Sequence, residues 1–491
     1  MFEPDELDHL SVAEWSAGLA AGRWTSQALV ERSVARIESL NPVFGAIRCV
    51  VPDCHERAAE SDQARRSGTV RGPLEGIPVV VKDNIDLAGL PTTGGALALQ
   101  HSVPERDAAL LVRLREAGAV VVGKTNLSEL ANFLTEAMPS GYSSLGGQVL
   151  NPYDTSVTPG GSSSGSATAV ALGIVPLAVG TETDGSITHP SECQSLAGMK
   201  PTLGLVSRTG ILPIAPSQDT AGPMARTAAD AALLLRGMAG PDPSDPATAE
   251  AAGPANRLAD GLDPTALGSA RLGVVREFPE EHQDGRQACY RQALEALAAT
   301  GVGLVDVTAP KREANWGDHS DELTVLRHEF APAVDRYLAA LGPSRPIRSL
   351  AELQAWNAAH ADEALKFRQV HVDAAVAIDH GASAAEYREA RRRDLQTVVA
   401  ILEEALGDGL EAVVLPGSDY SGLAARSGWP SIVVPAGYDP TNRRPVGMML
   451  ISRPWTDARL LSLAHGLEQA NPVRRPPWAV NPAEFRRSAP G

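Results

Sequence analysis

Three short stretches of this chain carry residue types able to break an acyl bond. The first is Gly160-Gly161-Ser162-Ser163-Ser164-Gly165-Ser166, which runs into the apolar segment Ala167 to Leu172. A Gly/Ser loop feeding a helix start turns backbone N–H groups toward negative or developing-negative charge. A phosphate loop would require Lys after the last glycine of its pattern, and no Lys follows Gly165. The same composition also describes a flexible linker. The second stretch, Gly180-Thr181-Glu182-Thr183-Asp184-Gly185-Ser186, follows the apolar run Val175 to Val179. A serine held in a glycine-containing turn is presented in a tight, exposed geometry, and consecutive N–H groups there form an oxyanion hole; an ordinary polar turn has a similar sequence. A serine hydroxyl also requires a base. His189 stands three residues on and is followed by Pro190, a spacing from which a base rarely reaches back to its own nucleophile. The third stretch supplies another base. Lys82 follows Val79-Val80-Val81. On the surface it is an ordinary cation. Buried, it is desolvated, its charged form is disfavoured, and a neutral amine becomes available to take a proton.

The elements that must position these residues are legible in part. Ser11-Val12-Ala13-Glu14 fits a capping box, with Trp15 and Leu19 on one face of the helix it starts. Thr25 or Ser26 caps a second helix carrying Leu29, Val30, Val34, Ile37 and Leu40, which Asn41-Pro42 is expected to end. From Gly72 to Gly240 short apolar runs alternate with helical stretches: strands at 78–81, 119–122 and 175–179, helices at 108–116 and 167–172. That alternation predicts an α/β protein around a central sheet. Residues 238–270, rich in Ala, Gly, Pro and Asp, predict a surface excursion. Strands are expected at 272–275, 413–415, 432–434 and 446–451, helices over most of 320–405, and a last helix at 459–470. No linker separates these parts, so one large domain over 1–491 is expected. The charged residues between 380 and 405 (Glu386, Glu389, Arg391, Arg392 and Arg393) predict a solvated face.

Composition narrows the function. The 491 residues carry 43 Lys and Arg against 59 Asp and Glu, a net charge of −16 that repels phosphates and argues against coating nucleic acid. With 43% hydrophobic residues, the chain has ample material for a core. Four scattered cysteines (Cys49, Cys54, Cys193 and Cys289) form neither a disulfide framework nor a zinc spacing. The acidic start, MFEPDELDHL, lacks the apolar core of a signal peptide, and no run of about 18 apolar residues predicts a membrane span. A soluble cytoplasmic protein is the expectation.

Taken together, the motifs resemble the amidase signature family. The matching stretches are Gly76 through Asn84, Gly123 through Glu129, Pro159 through Ala167, Gly180 through Pro190, Gly198 through Thr202, Ser217 through Met224 and Pro445-Val446-Gly447. Several long motifs in the family's order run nearly the full chain. The resemblance implies a large mixed β-sheet covered by helices on both faces, a signature core over 72–240 and a variable, mostly helical substrate-side region over about 241–405. It implies a Ser–cis-Ser–Lys triad with no cofactor and no metal: Lys82 as base, Ser162 as the cis serine, and Ser186, 24 residues further on, as nucleophile. Ser163 and Ser164 stand beside Ser162, so that choice rests on the family register. In the implied relay neutral Lys82 takes a proton from Ser162, which takes one from Ser186. The Ser186 oxygen then attacks the amide carbonyl, the N–H groups of Thr183, Asp184, Gly185 and Ser186 hold the oxyanion, and water resolves the acyl-enzyme. Asp83 and Asn84 are expected to fix the loop around Lys82 through side-chain-to-backbone bonds, and Cys193 to be a small packed residue.

The resemblance is greatest to the peptide-amidase branch. Thr181 through Ile187, Gly147-Gln148, Asn151-Pro152-Tyr153 and Leu205 through Pro223 match it, as do Glu329-Phe330, Tyr337-Leu338 and Trp356-Asn357 with His360. A primary carboxamide of a peptide or small molecule is the implied substrate, with His189 as a substrate contact. Neither Thr188 nor His189 is the Arg that many relatives place here to clamp a carboxylate. Two departures stand out: Arg368 between Phe367 and Gln369, where Gly is expected, and Gln194 directly after Cys193, where the family usually has Gly. The alternatives are an aryl or secondary-amide hydrolase, a glutamine-hydrolysing subunit of a tRNA-dependent amidotransferase, and a catalytically silent relative acting as a binding protein.

Overall fold

The structure, a computed structural model, describes residues 3–279, 285–310, 320–342 and 345–486. The strands are β1 Ile47–Val50, β2 Pro78–Lys82, β3 Val120–Thr125, β4 Tyr142–Ser143, β5 Gly147–Gln148, β6 Leu177–Glu182, β7 Ala197–Lys200, β8 Thr220–Ala225, β9 Arg271–Val274, β10 Gly303–Asp306, β11 Ala412–Pro416, β12 Ser431–Tyr438 and β13 Pro445–Ser452. Eleven of them form one sheet in the order β1-β3-β2-β6-β8-β7-β12-β13-β11-β9-β10, and β4 pairs with β5 alone. The sheet is mixed. β2 lies parallel to both β3 and β6, β9 parallel to β10 and β11, and the other pairs are antiparallel. Every residue of β2, β3, β6, β7, β8, β11 and β13 is buried. Side chains alternate between the faces of a strand, so this burial requires helices on both faces.

The Val79-Val80-Val81 run and the register Val79↔Leu177, Val80↔Ala178, Val81↔Val179 set β2 beside β6. Both strands run the same way, so Lys82 and the turn after Glu182 leave the sheet at the same edge. The helix Ser164–Ala171 packs across β2, β3, β6 and β8 and carries the serine loop to that edge.

Local signals explain the helix starts. The Ser11 hydroxyl accepts from the Glu14 N–H while the Glu14 carboxylate accepts from the Ser11 N–H, closing the expected capping box. Thr25 rather than Ser26 caps the second helix, Ser26–Phe44. That helix runs through Pro42, contrary to expectation. Its last turn is held by left-handed Gly45, whose N–H reaches Asn41 O, by the Asn41 side chain bonding both N–H and C=O of Ile47, and by buried Phe44. β6 begins and ends later than the apolar run suggested. Leu177 through Glu182 pair residue by residue with Ala225 through Thr220, so Gly180-Thr181-Glu182 is strand and not turn. β1, β7, β8 and β10 carry no clear local strand signal. Residues 238–270 include two short helices, Ala252–Ala259 and Ala266–Ser269, that pack through buried Leu258 and Leu267 on Asp457–Ala470, which is not the last helix as expected but is followed by a short one, Pro477–Val480.

The expected helical region comprises Asp321–Ala340, Leu350–Ala359, Ala361–Ala364, Val370–Val376 and Ala384–Leu406, with residues 343–344 outside the described residues. The apolar side chains of its part 321–376 pack in a cluster separate from the main one, whereas Val398, Leu402 and Leu406 of Ala384–Leu406 pack with Val413, Leu415 and Met449. Leu326, Phe330, Val334, Leu353 and Val372 pack with Phe133, Leu212 and Ile214, apart from the main cluster that holds β2, β3, β6 and β8. On Ala384–Leu406, Glu386, Glu389, Arg392 and Arg393 are exposed as expected. Arg391 is half-buried instead, donating to the carbonyls of Arg426 and Ser217 at 3.2 and 3.4 Å. Among the described residues no helix is long and apolar enough to cross a membrane.

Candidate active site

Lys82 is fully buried at the end of β2. Its Nζ lies 2.7 Å from Ser162 Oγ, 2.9 Å from Thr181 Oγ1 and 3.2 Å from Thr181 O. Desolvation drives its pKa down to about 7, against the attraction of the Glu182 and Asp219 carboxylates. The contacts orient the neutral amine. Asn84 Nδ2 also donates to Thr181 Oγ1, at 3.0 Å, so that oxygen receives two donors. The two amine hydrogens of neutral Lys82 then satisfy Thr181 O and Oγ1, and the remaining lone pair faces the Ser162 hydroxyl. Thr181 is a residue that sequence reasoning missed. It stands inside the matched stretch Thr181 through Ile187, but only the pairing of β6 with β2 reveals its contact with the lysine.

The cis peptide bond lies between Gly161 and Ser162, the register that the family resemblance implied. A Cβ on Gly161 would lie 2.6 Å from Ser128 Oγ, so the loop passes too close to its neighbour for any larger residue. Ser163 faces the other way along the loop: its Oγ donates to Thr181 O at 3.0 Å and accepts from Thr181 N at 3.2 Å. Ser164 Oγ donates to Gly160 O.

Ser186 follows the turn 183–185 and is 6% exposed. Its Oγ makes no hydrogen bond among the described residues, with Ser162 or any other, whereas its carbonyl accepts from Ser163 N at 3.1 Å. Catalytic hydrogen bonds are often long in the absence of substrate. The N–H groups of Thr183, Gly185 and Ser186 also donate to no acceptor among the described residues. Unpaired N–H groups around a free hydroxyl are what an oxyanion hole requires.

Polar groups brace this turn from four sides. Glu182 Oε2 accepts from Ile187 N, Thr188 N and Thr188 Oγ1 at 2.7, 2.9 and 3.2 Å. Thr183 Oγ1 donates to Asp219 at 2.6 Å, and Gln218 Nε2 donates to Thr183 O. Ser421 Oγ donates to Asp184 Oδ1 at 2.9 Å. Gly185 has φ +72, and a Cβ there would sit 2.9 Å from Ser421 Oγ. Gly185→Ala therefore combines a left-handed alanine with a clash. The expected result is a loss of about 1–2 kcal/mol of stability and, through re-aimed N–H groups, of about 10²–10³ in kcat. Thermal unfolding and steady-state kinetics on the purified variant check both.

Several neighbours differ from expectation. The expected side-chain-to-backbone bonds of Asp83 are not formed among the described residues; its carboxylate instead pairs with Arg48 and, at 2.8 Å, with buried Lys124, and accepts from the Thr93 hydroxyl. Asn84 reaches Thr181 and, at 3.5 Å, Leu212 O. Arg368 takes φ +66, so the position where Gly was expected does use the left-handed backbone that Gly favours. At the other departure the left-handed residue is Ser195, φ +54, one position after Gln194. Buried Gln194 instead donates from Nε2 to Pro159 O at 2.8 Å and Ser164 O at 3.5 Å, tying the helix Thr188–Cys193 to the serine loop. His189 is half-buried, with Nδ1 3.3 Å from Ser418 Oγ.

A cavity of about 400 Å³ adjoins the lysine side of the turn, lined in part by Asn84, Thr181, Thr183, Ala131, Arg336 and Tyr337. Ala131 belongs to a run of three left-handed residues, Leu130, Ala131 and Asn132, with φ +48, +55 and +74. Left-handed non-glycine backbone costs about 1–2 kcal/mol per residue. Leu130 N to Gly94 O at 2.7 Å and the packing of buried Phe133 edge-on to Phe330 hold it.

The Amidase family model matches residues 28–461. Together with the mixed sheet and the serine turn at its edge, that match defines an amide-hydrolysing enzyme. The chain belongs to the amidase signature family. It is similar to the peptide amidase of Stenotrophomonas maltophilia, with 40% identity and a TM-score of 0.89 over 96% of this chain and 99% of that one. It is 36% identical to a probable amidase of Arabidopsis thaliana over 93% of this chain and 88% of the relative. It is 34% identical to a glutamyl-tRNA(Gln) amidotransferase subunit of Anaeromyxobacter dehalogenans over 96% of this chain and 98% of the relative.

Proposed function

We propose that this enzyme hydrolyses primary carboxamides at the C-terminus of peptides, releasing ammonia through an acyl-enzyme on Ser186. Lys82 is the base, Ser162 relays the proton, and the N–H groups of Thr183, Asp184, Gly185 and Ser186 receive the oxyanion. The observation that carries the reading is the 2.7 Å contact from buried Lys82 to Ser162 beside a serine whose hydroxyl, and whose own N–H with those of Thr183 and Gly185, have no partner among the described residues. A neutral amine draws a proton through Ser162 from Ser186, and the same path returns it to the leaving amine. His189, three residues past the nucleophile, contacts the substrate. The peptidic substrate is supported by the 40% identity to a peptide amidase. The whole chain acts as one amidase domain, and about 241–405 form its substrate side. Helix Asp321–Ala340 supports this, since Ala333, Arg336, Tyr337 and Ala340 wall the cavity.

A second reading, glutamine hydrolysis for a tRNA-dependent amidotransferase, draws support from the similarity to the glutamyl-tRNA(Gln) amidotransferase. Position 188 or 189 lacks the Arg that would clamp a carboxylate. The test is ammonia release from a panel of peptide C-terminal amides, small aliphatic and aryl amides, and glutamine. Peptide amides turning over at least about tenfold faster in kcat/KM, a difference of about 1.4 kcal/mol, is the expected result. Preference for glutamine, or for amine release from secondary amides, overturns it.

A further inference from the structure

The helix Thr188–Cys193, directly behind the serine turn, carries a thiol, Cys193, that the amide chemistry does not use. Both ring nitrogens of His189 lie near Cys193 Sγ, Nδ1 at 3.9 Å and Nε2 at 3.8 Å. The imidazole is itself held by a polar relay. The Ser418 hydroxyl donates its only hydrogen to Glu192 Oε2, which also accepts the Ser418 N–H at 2.7 Å. The contact between Ser418 Oγ and His189 Nδ1 must then be donated by the ring. Nδ1 is therefore protonated, and Nε2 is the nitrogen free to take a proton. This Glu192–Ser418–His189–Cys193 chain places a base against a thiol that is half-buried, not sealed in the core.

We propose that Cys193 is a modification site for soft electrophiles, activated by His189, and that an adduct there shuts down the amidase site. The thiol proton passes to His189 Nε2. The thiolate then adds to an activated alkene: the C–S bond forms, the C=C π bond breaks, and the neighbouring carbon takes the proton back from the imidazolium. No oxidant or leaving group is required. Burial raises the thiol pKa of Cys49 and Cys54 and pushes that of Cys289 to about 11, which keeps them as unreactive thiols. The link to the amidase site is steric. A Cβ built on Gly160 would stand 3.2 Å from Cys193 Sγ and 2.5 Å from the Pro190 backbone. The sulfur thus packs against the residue two before Ser162, and a group added to it presses on the loop that carries the cis serine.

The probe is N-ethylmaleimide on the folded full-length enzyme, with adducts mapped by mass spectrometry and ammonia release followed in parallel. Labelling at Cys193 is expected at least tenfold faster than at Cys49, Cys54 or Cys289, with activity lost at the same rate. Cys193→Ser, which keeps size and lies outside the proposed machinery, is expected to remain active in the reagent. His189→Gln is expected to slow labelling at Cys193 about tenfold. The labelling rate is read by mass, so it stands whether or not peptide amides prove to be the substrate, and Ser186→Ala is expected to label at the wild-type rate. First labelling on another cysteine, an unchanged rate in His189→Gln, or a Cys193 adduct that leaves turnover intact overturns the proposal.

Discussion

Ser186→Ala is expected to abolish ammonia release, by at least about 10⁴-fold in kcat, while leaving the melting temperature unchanged. The two halves of this result have separate physical origins. The Ser186 hydroxyl makes no hydrogen bond among the described residues, so its removal orphans no partner and costs the fold little. The turn itself is held by other groups, Glu182 on Ile187 and Thr188, Asp219 on Thr183 and Ser421 on Asp184. The oxyanion N–H groups therefore stay aimed, and the variant still binds substrate. What it lacks is the atom that forms the acyl-enzyme. Steady-state ammonia assays and mass spectrometry of the trapped acyl intermediate provide the check. Full activity in Ser186→Ala would remove Ser186 as the nucleophile. Lost activity with a large fall in melting temperature would mean that the hydroxyl is structural.

The second large effect falls on Lys82. Its amine must be neutral to take a proton, and burial sets its pKa at about 7. The logarithm of kcat/KM is accordingly expected to rise with slope one below pH 7, bend near 7 and level off above. Lys82→Met keeps the length of the side chain but removes the base. A loss of about 10²–10⁴ in kcat is expected, together with disappearance of the bend. Stability carries the same signature with a definite sign. The unfolded Lys titrates at about 10.4 and the folded one at about 7. Between those values the unfolded chain holds the extra proton, so wild-type stability climbs with pH across that window. The variant lacks this contribution, so the stability difference between wild type and variant must shift toward wild type as pH rises from 7 to 10. Denaturant titrations at several pH values measure it, and a difference independent of pH would place the lysine in water.

The chemistry-bearing segments were legible because their residue types are unusual in context: a lysine after three valines, a run of serines after paired glycines, a serine after Asp-Gly. The pieces that orient them were not. Thr181 becomes a lysine ligand only once β6 is paired beside β2, and that pairing extends past the apolar run from which the strand was read. β8 contains Gly222 and Pro223, poor strand formers, yet pairs with β6 along its whole length. Long-range pairing overrode local propensity there. Asp83 looked like a backbone clamp and proved instead to be the partner of Lys124 and Arg48, charges from β3 and β1 that no short window connects. The glycine expected after Cys193 turned out one residue further on, where Ser195 takes the left-handed backbone. The left-handed turn at Leu130 to Asn132 has no glycine to announce it.

The two apolar clusters bear on how this molecule can change over generations. Lys82 and the turn at Ser186 hang from strands packed into the large cluster, whereas Phe330, Val334 and their neighbours, on the helix that walls the cavity, pack in a separate one. Substitutions without shared partners have nearly additive costs. Drift or a designed library confined to the apolar side chains of Asp321–Val376, sparing Glu322 and Glu329, which accept from Gln218 and Ser217 beside the serine turn, can thus rewrite what rests against the wall, while the two strands that carry the candidate cutting groups are inherited intact.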